Sequence, residues 1–137
     1  MIAAIVQPYL LPYIGYLQLM AAVDAFVFLD DVQYIARGWV NRNRILNAGR
    51  VCWLTVPVRH AHQQVAINQR FYDRDPHHGD RIANLLAAAY PGPVAEQLSR
   101  QLLLQPMIDG DGNVAEVNAG ILRTLAAMLG MRTTFHC

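Results

Sequence analysis

Two short apolar runs, residues 2–6 (IAAIV) and 25–29 (AFVFL), bracket a stretch whose apolar positions fall at helical spacing. Both runs are rich in β-branched or aromatic residues and have the length of buried strands. Gln7-Pro8 closes the first, because Pro8 has no N–H to give to a strand ladder. A loop runs to Pro12, and from Tyr13 onward Ile14, Leu17, Leu19, Met20 and Val23 predict a helix that begins just after a proline. Strand, loop, helix and strand within about 30 residues make a βαβ unit. Strands joined this way pair in parallel through a right-handed crossover. The first third of the chain is therefore committed to a small parallel sheet.

The rest of the chain adds one more β unit and then helices. Residues 51–58 (VCWLTVPV) read as a strand that Pro57 ends or confines to an edge. Asn47-Ala48-Gly49-Arg50 reads as a hairpin turn, with Ile45 and Leu46 closing the partner strand. Residues 59–79 are polar and mixed, a loop with a short strand near 65–67. Asp75 as N-cap and Pro76 at the first position start a helix over about 77–90, with Ile82, Leu85, Leu86 and Ala89 on its apolar face. A second helix spans about 93–104 and is expected to stop at Pro106. Asn113 or Asp111 caps a third at about 114–129, with Val117, Ile121, Leu125 and Met128 inward and Gly130 just past its end. Residues 132–136 form a last strand. The expected class is α/β, a Rossmann-like βαβ start with a small, mostly parallel sheet followed by a helical segment, with residues 1–137 as a single domain.

Composition removes several function classes. Charged residues are 15% and apolar residues 54%, too apolar for disorder. A net charge of +1 gives no long-range footprint for a nucleic acid. No apolar run approaches the roughly 18 residues of a membrane span. The N-terminus lacks a basic segment and is interrupted by Pro8 and Pro12, which argues against a signal peptide. Cys52 and Cys137 fit no metal or redox spacing and read as free thiols of a cytoplasmic protein. All 11 basic residues are arginine, so neither a lysine Schiff base nor a lysine general base is available within the chain. The five histidines supply no third converging ligand at fixed spacing, so no metal is expected.

In an open parallel sheet, ligands bind at the carboxyl ends of the strands. Two segments qualify, the loop 7–15 and the segment 30–44, and they leave adjacent strands. The first carries Gln7, Tyr13 and Gly15 at a helix N-terminus that can present N–H groups to an anion, without a dinucleotide or P-loop fingerprint. Equally, its tyrosines and prolines can simply pack a βα turn. In the second, Asp30-Asp31 sits at a strand end, and at most one of two adjacent extended residues faces a crevice. The pair could hold a metal or a ribose or act as a base, with Asp31 the candidate proton acceptor; a helix cap or arginine partner is the plain alternative. Then comes GWVNRNRI, residues 38–45. If it is extended, Trp39, Asn41, Asn43 and Ile45 share one face, and Val40, Arg42 and Arg44 share the other. Arginine forks suit carboxylate or phosphate, and asparagine amides both donate and accept. The alternative is a solvated edge strand with ion pairs to Asp30 or Asp31.

The ordered motifs QPYLLPYIGY, DAFVFLDDVQY, RGWVNRNRI and LTVPV resemble the WbqC-like family, bacterial proteins often encoded in polysaccharide gene clusters. The resemblance is dense through about Val58, thins over 67–93, and returns at LRTLAAMLGMRTTF. It implies a transferase that moves a glycine-type or other aminoacyl group to a sugar of the O-antigen. Asp31 would take the proton, Gln7, Tyr13 and Gly15 would shape an anion pocket, Arg42 and Arg44 would hold a phosphate or carboxylate, and Asn41 and Asn43 would orient the acceptor. Members of the family continue past this point, so the chain is expected to match the N-terminal part of such a protein. The competing readings are a non-catalytic nucleotide- or nucleotide-sugar-binding module and a folded, inactive remnant. A small-molecule or sugar-nucleotide substrate and self-association are the expected partners, with an aminoacyl-tRNA donor left open.

Overall fold

The computed structural model describes residues 1–62 and 64–137, apart from the side chain of Ile108; Gln63, read above as loop, lies outside the described residues. β1 (Ala3–Val6) and β2 (Ala25–Phe28) pair in parallel, with α1 (Ile14–Ala22) between them in the chain. β5 (Thr134–His136) joins the other side of β2, also in parallel, giving the order β1-β2-β5. The predicted βαβ start and closing strand are thus both present, and the class is mixed α/β.

Phe26 and Phe28, two residues apart, share one face of the sheet. With Tyr16 and Phe135 they build an aromatic layer, with ring centroids 5.4 Å apart for Tyr16–Phe26 and 5.8 Å for the stacked pair Phe28–Phe135. Met20 of α1 and Leu122 and Ala126 further along the chain complete this cluster. β1 departs from expectation. It buries Ala4, while Ile2 and Ile5 are 64% and 63% exposed. Parallel sheets are ordinarily covered on both faces; among the described residues, β1 is packed on one.

β3 (Arg42–Asn47) and β4 (Arg50–Thr55) form an antiparallel hairpin in the register Asn47 opposite Arg50 and Arg44 opposite Trp53. Its two-residue turn, Ala48-Gly49, has φ of +49° and +75°, the double left-handed pattern that matches strand twist. Ile45 and Leu54 point into the larger core with Val56, Ile67, Tyr72, Ile82, Leu103 and Ile121. The predicted strand near 65–67 is instead a single bridge, Gln33 to Ala66, followed by a 3-10 turn (Ile67–Gln69).

α2 (Pro76–Ala89) starts as predicted, Asp75 accepting the His77 N–H and Pro76 filling the first turn. The predicted stop at Pro106 does not occur. α3 (Pro93–Ser99) continues through a π-helical turn (Arg100–Leu104) into α4 (Gln105–Asp109), which contains Pro106. The Gln105 N–H reaches back five residues to the Arg100 carbonyl, and such widening is how a helix accommodates a proline that has no N–H and crowds the preceding turn. α5 (Val114–Met128) is capped by Asn113, whose side chain accepts from the N–H groups of Ala115 and Glu116. Val117 and Ile121 face inward as predicted; Met128 does not, being 57% exposed at the last turn.

Candidate functional site

The two loops at the carboxyl ends of β1 and β2 are stitched to each other. The Leu10 N–H donates to the Trp39 carbonyl at 3.2 Å. The Asn43 amide donates to the Leu10 and Leu11 carbonyls. From below, the Asn118 amide of α5 donates to the Pro8 carbonyl at 2.9 Å and to the Val40 carbonyl at 2.7 Å. The Tyr16 hydroxyl of α1 donates to the Gln7 carbonyl at 2.9 Å. Burial pushes the Tyr16 phenol well above its ordinary range, so it is neutral and available as that donor.

Asn41 and Asn43 are turned inward. Asn41 is 8% exposed and donates to the Val56 carbonyl at 2.9 Å, while among the described residues its enclosed Oδ1 has no partner. Asn43 Oδ1 accepts the Arg44 N–H at 2.7 Å. Both amides are thus engaged with backbone. The arginines face the other way, and Trp39 goes with them rather than with the asparagines, because residues 38–41 bend before β3 begins. Arg42 lies 4.1 Å over the Trp53 ring, Arg44 lies 5.6 Å over the Trp39 ring, and the two indoles are 5.6 Å apart. The result is an interleaved ladder of two guanidiniums and two indoles on the outer face of the hairpin. Arg42 also donates to the Gly38 and Arg37 carbonyls, which fixes its plane. Arg44 is exposed, and among the described residues its guanidinium has no hydrogen bond or ion pair. Beside the ladder, Trp53 and Thr55 line a hollow of about 340 Å³ with Arg81 and Leu85 of α2.

The remaining predicted residues are more scattered. Asp31 is exposed and among the described residues has no hydrogen bond. Asp30 is tied down instead, its carbonyl accepting from the Asn68 N–H at 3.0 Å and its carboxylate 3.4 Å from the Asn68 amide. Neither aspartate pairs with Arg42 or Arg44. Tyr13 is the N-terminal cap residue of α1 and is 63% exposed. Its ring occupies the space where a Cβ on Gly15 would stand, 2.7 Å from that point, so Gly15 makes room for Tyr13. Gln7 is half-buried, its carbonyl accepting from the Tyr16 hydroxyl. Among the described residues, no three His, Cys, Asp or Glu side chains converge on a metal position.

Several contributors were not singled out in the sequence. Trp53 was read only as part of a strand, although counting back from the Asn47–Arg50 turn places it opposite Arg44. Tyr72 and Asn118, both at 0% exposure, form the hub beneath the loops. Burial pushes the Tyr72 phenol up, with the Asn118 hydrogen bond opposing. Arg70, in a segment read as loop, is 8% exposed and lies 4.6 Å over the Tyr34 ring. Burial raises the Tyr34 phenol, opposed first by the charge of Arg70 and then by that of Arg42. No sequence signal distinguishes Arg70 from the ten other arginines.

The sequence profile of the WbqC-like protein family matches residues 7–137. Among curated proteins, the chain is similar to Uncharacterized protein Rv1507c of Mycobacterium tuberculosis, with 34% identity over 137 residues, 95% of this chain and 57% of that protein. The chain thus spans 57% of the length of this relative. No solved structure matches it.

Proposed function

This chain belongs to the WbqC-like protein family, and from that premise we propose that it serves group transfer of the aminoacyl or glycine type in building bacterial surface polysaccharide, the O-antigen. In this reading the hairpin holds a sugar- or nucleotide-linked phosphate. The observation that carries it is the ladder of Arg42, Trp53, Trp39 and Arg44. Indole faces stack on bases and flat ring faces, and guanidiniums take phosphate oxygens in pairs. Arg44 is the free cation of the set, and Arg42 is held as part of the platform. Asp31 is the group in reach of solvent that would accept a proton from an acceptor amine. The site works in the cytoplasm, where activated sugars and aminoacyl donors are made; no helix among the described residues is long and apolar enough to cross a membrane.

The second reading is a binding module that holds the same ligand without turnover. It is favoured by one observation: among the described residues, nothing hydrogen-bonds Asp31 to orient it as a base, whereas the ladder is fully assembled. Thermal-shift titration of the chain with ATP, UDP-sugars, dTDP-sugars and aminoacyl-adenylate analogues tests the site. One ligand class should raise the melting temperature, and Arg44→Ala and Trp53→Ala should each remove the rise. Turnover of the ligand so identified, lost in Asp31→Asn with binding intact, separates enzyme from module. A cooperative melt that no ligand moves leaves a folded remnant as the answer.

A further inference from the structure

We infer that Arg70, backed by Tyr34, is a built site for a compact carboxylate, separate from the hairpin ladder. Arg70 is 8% exposed, and among the described residues its enclosed Nε and Nη1 have no hydrogen-bond partner. None of the ion pairs among the described residues includes it. Among the described residues, its side chain meets the Tyr34 ring, 4.6 Å from the guanidinium carbon. A cation–π contact offsets only part of the loss of water around a guanidinium. Buried donors in folded proteins are almost always satisfied, so two orphans on one charged group point to a missing acceptor.

The side chain is held there by its backbone. The Arg70 N–H donates to the Ile67 carbonyl at 3.0 Å, and its carbonyl accepts from Val114 at 2.9 Å. The strap that carries Tyr34 is pinned over the same place by three further bonds: Asn68 N–H to Asp30, Ile67 N–H to Val32, and Tyr34 N–H to Val65. The site therefore lies beside the segment that leaves the carboxyl end of β2, where an open sheet receives its ligands. Nε and Nη1 belong to different edges of the guanidinium, so an anion seated on either edge would satisfy one of them. A planar carboxylate matches such an edge and, as a monoanion, neutralises the single buried charge. A phosphate dianion would leave a net negative charge in the same enclosure.

The inference does not rest on the hairpin reading, and one experiment separates the two. The chain is titrated with formate, acetate, glycine and inorganic phosphate at constant ionic strength, following the melting temperature. The carboxylates should give a saturable rise. Arg70→Met should weaken their binding about 100-fold or more, as for truncation of one member of a buried charge pair. Without ligand, Arg70→Met should melt at or above the parent temperature, because an uncompensated buried charge has gone. Trp53→Ala should leave the carboxylate response unchanged. If Arg70→Met does not fold, NMR of isotope-labelled arginine in the parent chain gives the answer: the Arg70 Nε–H should move downfield and resist exchange when acetate is added. A rise with phosphate alone overturns the carboxylate assignment. A rise lost in Trp53→Ala but kept in Arg70→Met moves the anion to the hairpin and overturns the site. An Arg70 Nε–H indifferent to every anion makes it a structural arginine.

Discussion

The Tyr72 hydroxyl donates to Asn118 Oδ1 at 2.7 Å, with both side chains completely buried. Through Asn118 Nδ2 the same pair holds the Pro8 and Val40 carbonyls, one from each loop of the candidate site. Removing the amide leaves the buried Pro8 carbonyl without a donor, and leaves the Tyr72 hydroxyl and the Val40 carbonyl with only their own 3.3 Å contact. Asn118→Leu should therefore cost about 3 kcal/mol or more, since each stranded buried group is worth roughly 1–3 kcal/mol. Asn118→Asp should fare no better, because a carboxylate can accept from Tyr72 but has nothing to give the carbonyls. Urea denaturation reads both; an Asn118→Asp variant as stable as the parent would show that the amide is not what joins the loops.

Alkaline pH should unfold the chain through its buried phenols. Burial is the main cause that raises Tyr16 and Tyr72 above the ordinary value of 10.0. Below about pH 10 each phenol is neutral in both states, and its contribution to stability is fully present. Above it, the unfolded chain releases the proton and the folded chain keeps it, so the unfolded state binds fewer protons and stability falls with pH. The slope approaches about 1.4 kcal/mol per pH unit for each phenol. Tyr72→Phe should cost about 1 kcal/mol near neutral pH and should make the loss between about pH 10 and about pH 11 shallower by one phenol's share. Unfolding free energies measured across that range decide it.

The hairpin ladder should show measurable coupling. Arg42 sits 4.1 Å over the half-exposed Trp53 ring, and an exposed cation–π pair is worth about 0.5–1 kcal/mol. A double-mutant cycle of Arg42→Ala with Trp53→Ala should return that value. The equivalent cycle for Arg44 and Trp39, 5.6 Å apart, should return less. If the Arg42–Trp53 coupling is zero, the platform is not preorganised and ligand would have to assemble it.

What could be read from the sequence divides along physical lines. Short-range rules found the βαβ start, the Asp75-Pro76 and Asn113 caps and the Ala48-Gly49 turn, because each is fixed by residues within a few positions of each other. They failed where a distant neighbour decides. Ile5 looks like a core residue until the strand is found packed on one face. Pro106 looks like a stop until the π turn before it is seen. Trp39 parts from the asparagines because the chain bends before β3, which period-two counting does not foresee. The arginines of the NRNR stretch stood out by local contrast, whereas Arg70 did not, since its burial is made by Tyr34 and the N-terminal end of α5. Asn118 is similar: a lone asparagine on an apolar helix face carries no mark of the two loops it joins.

The turn that sets the ladder carries an improvable residue. Ala48 and Gly49 both have positive φ, and the left-handed region costs an L-residue about 1–2 kcal/mol. Gly49 escapes that cost and Ala48 does not. Ala48→Asn creates Asn-Gly, the pair that two-residue hairpins favour, and should raise stability by about 0.5–1 kcal/mol. Gly49→Ala meets no neighbour within 4 Å, so its loss of about 1 kcal/mol comes from φ alone. Denaturant midpoints should move in opposite directions with the slope unchanged. The consequence reaches the site, because a one-residue slip in register would carry Arg42, Arg44 and Trp53 to the core side. Ligand affinity at the ladder should therefore hold in Ala48→Asn. A variant that gained stability but lost the Arg42–Trp53 coupling would show that this turn does not set the register.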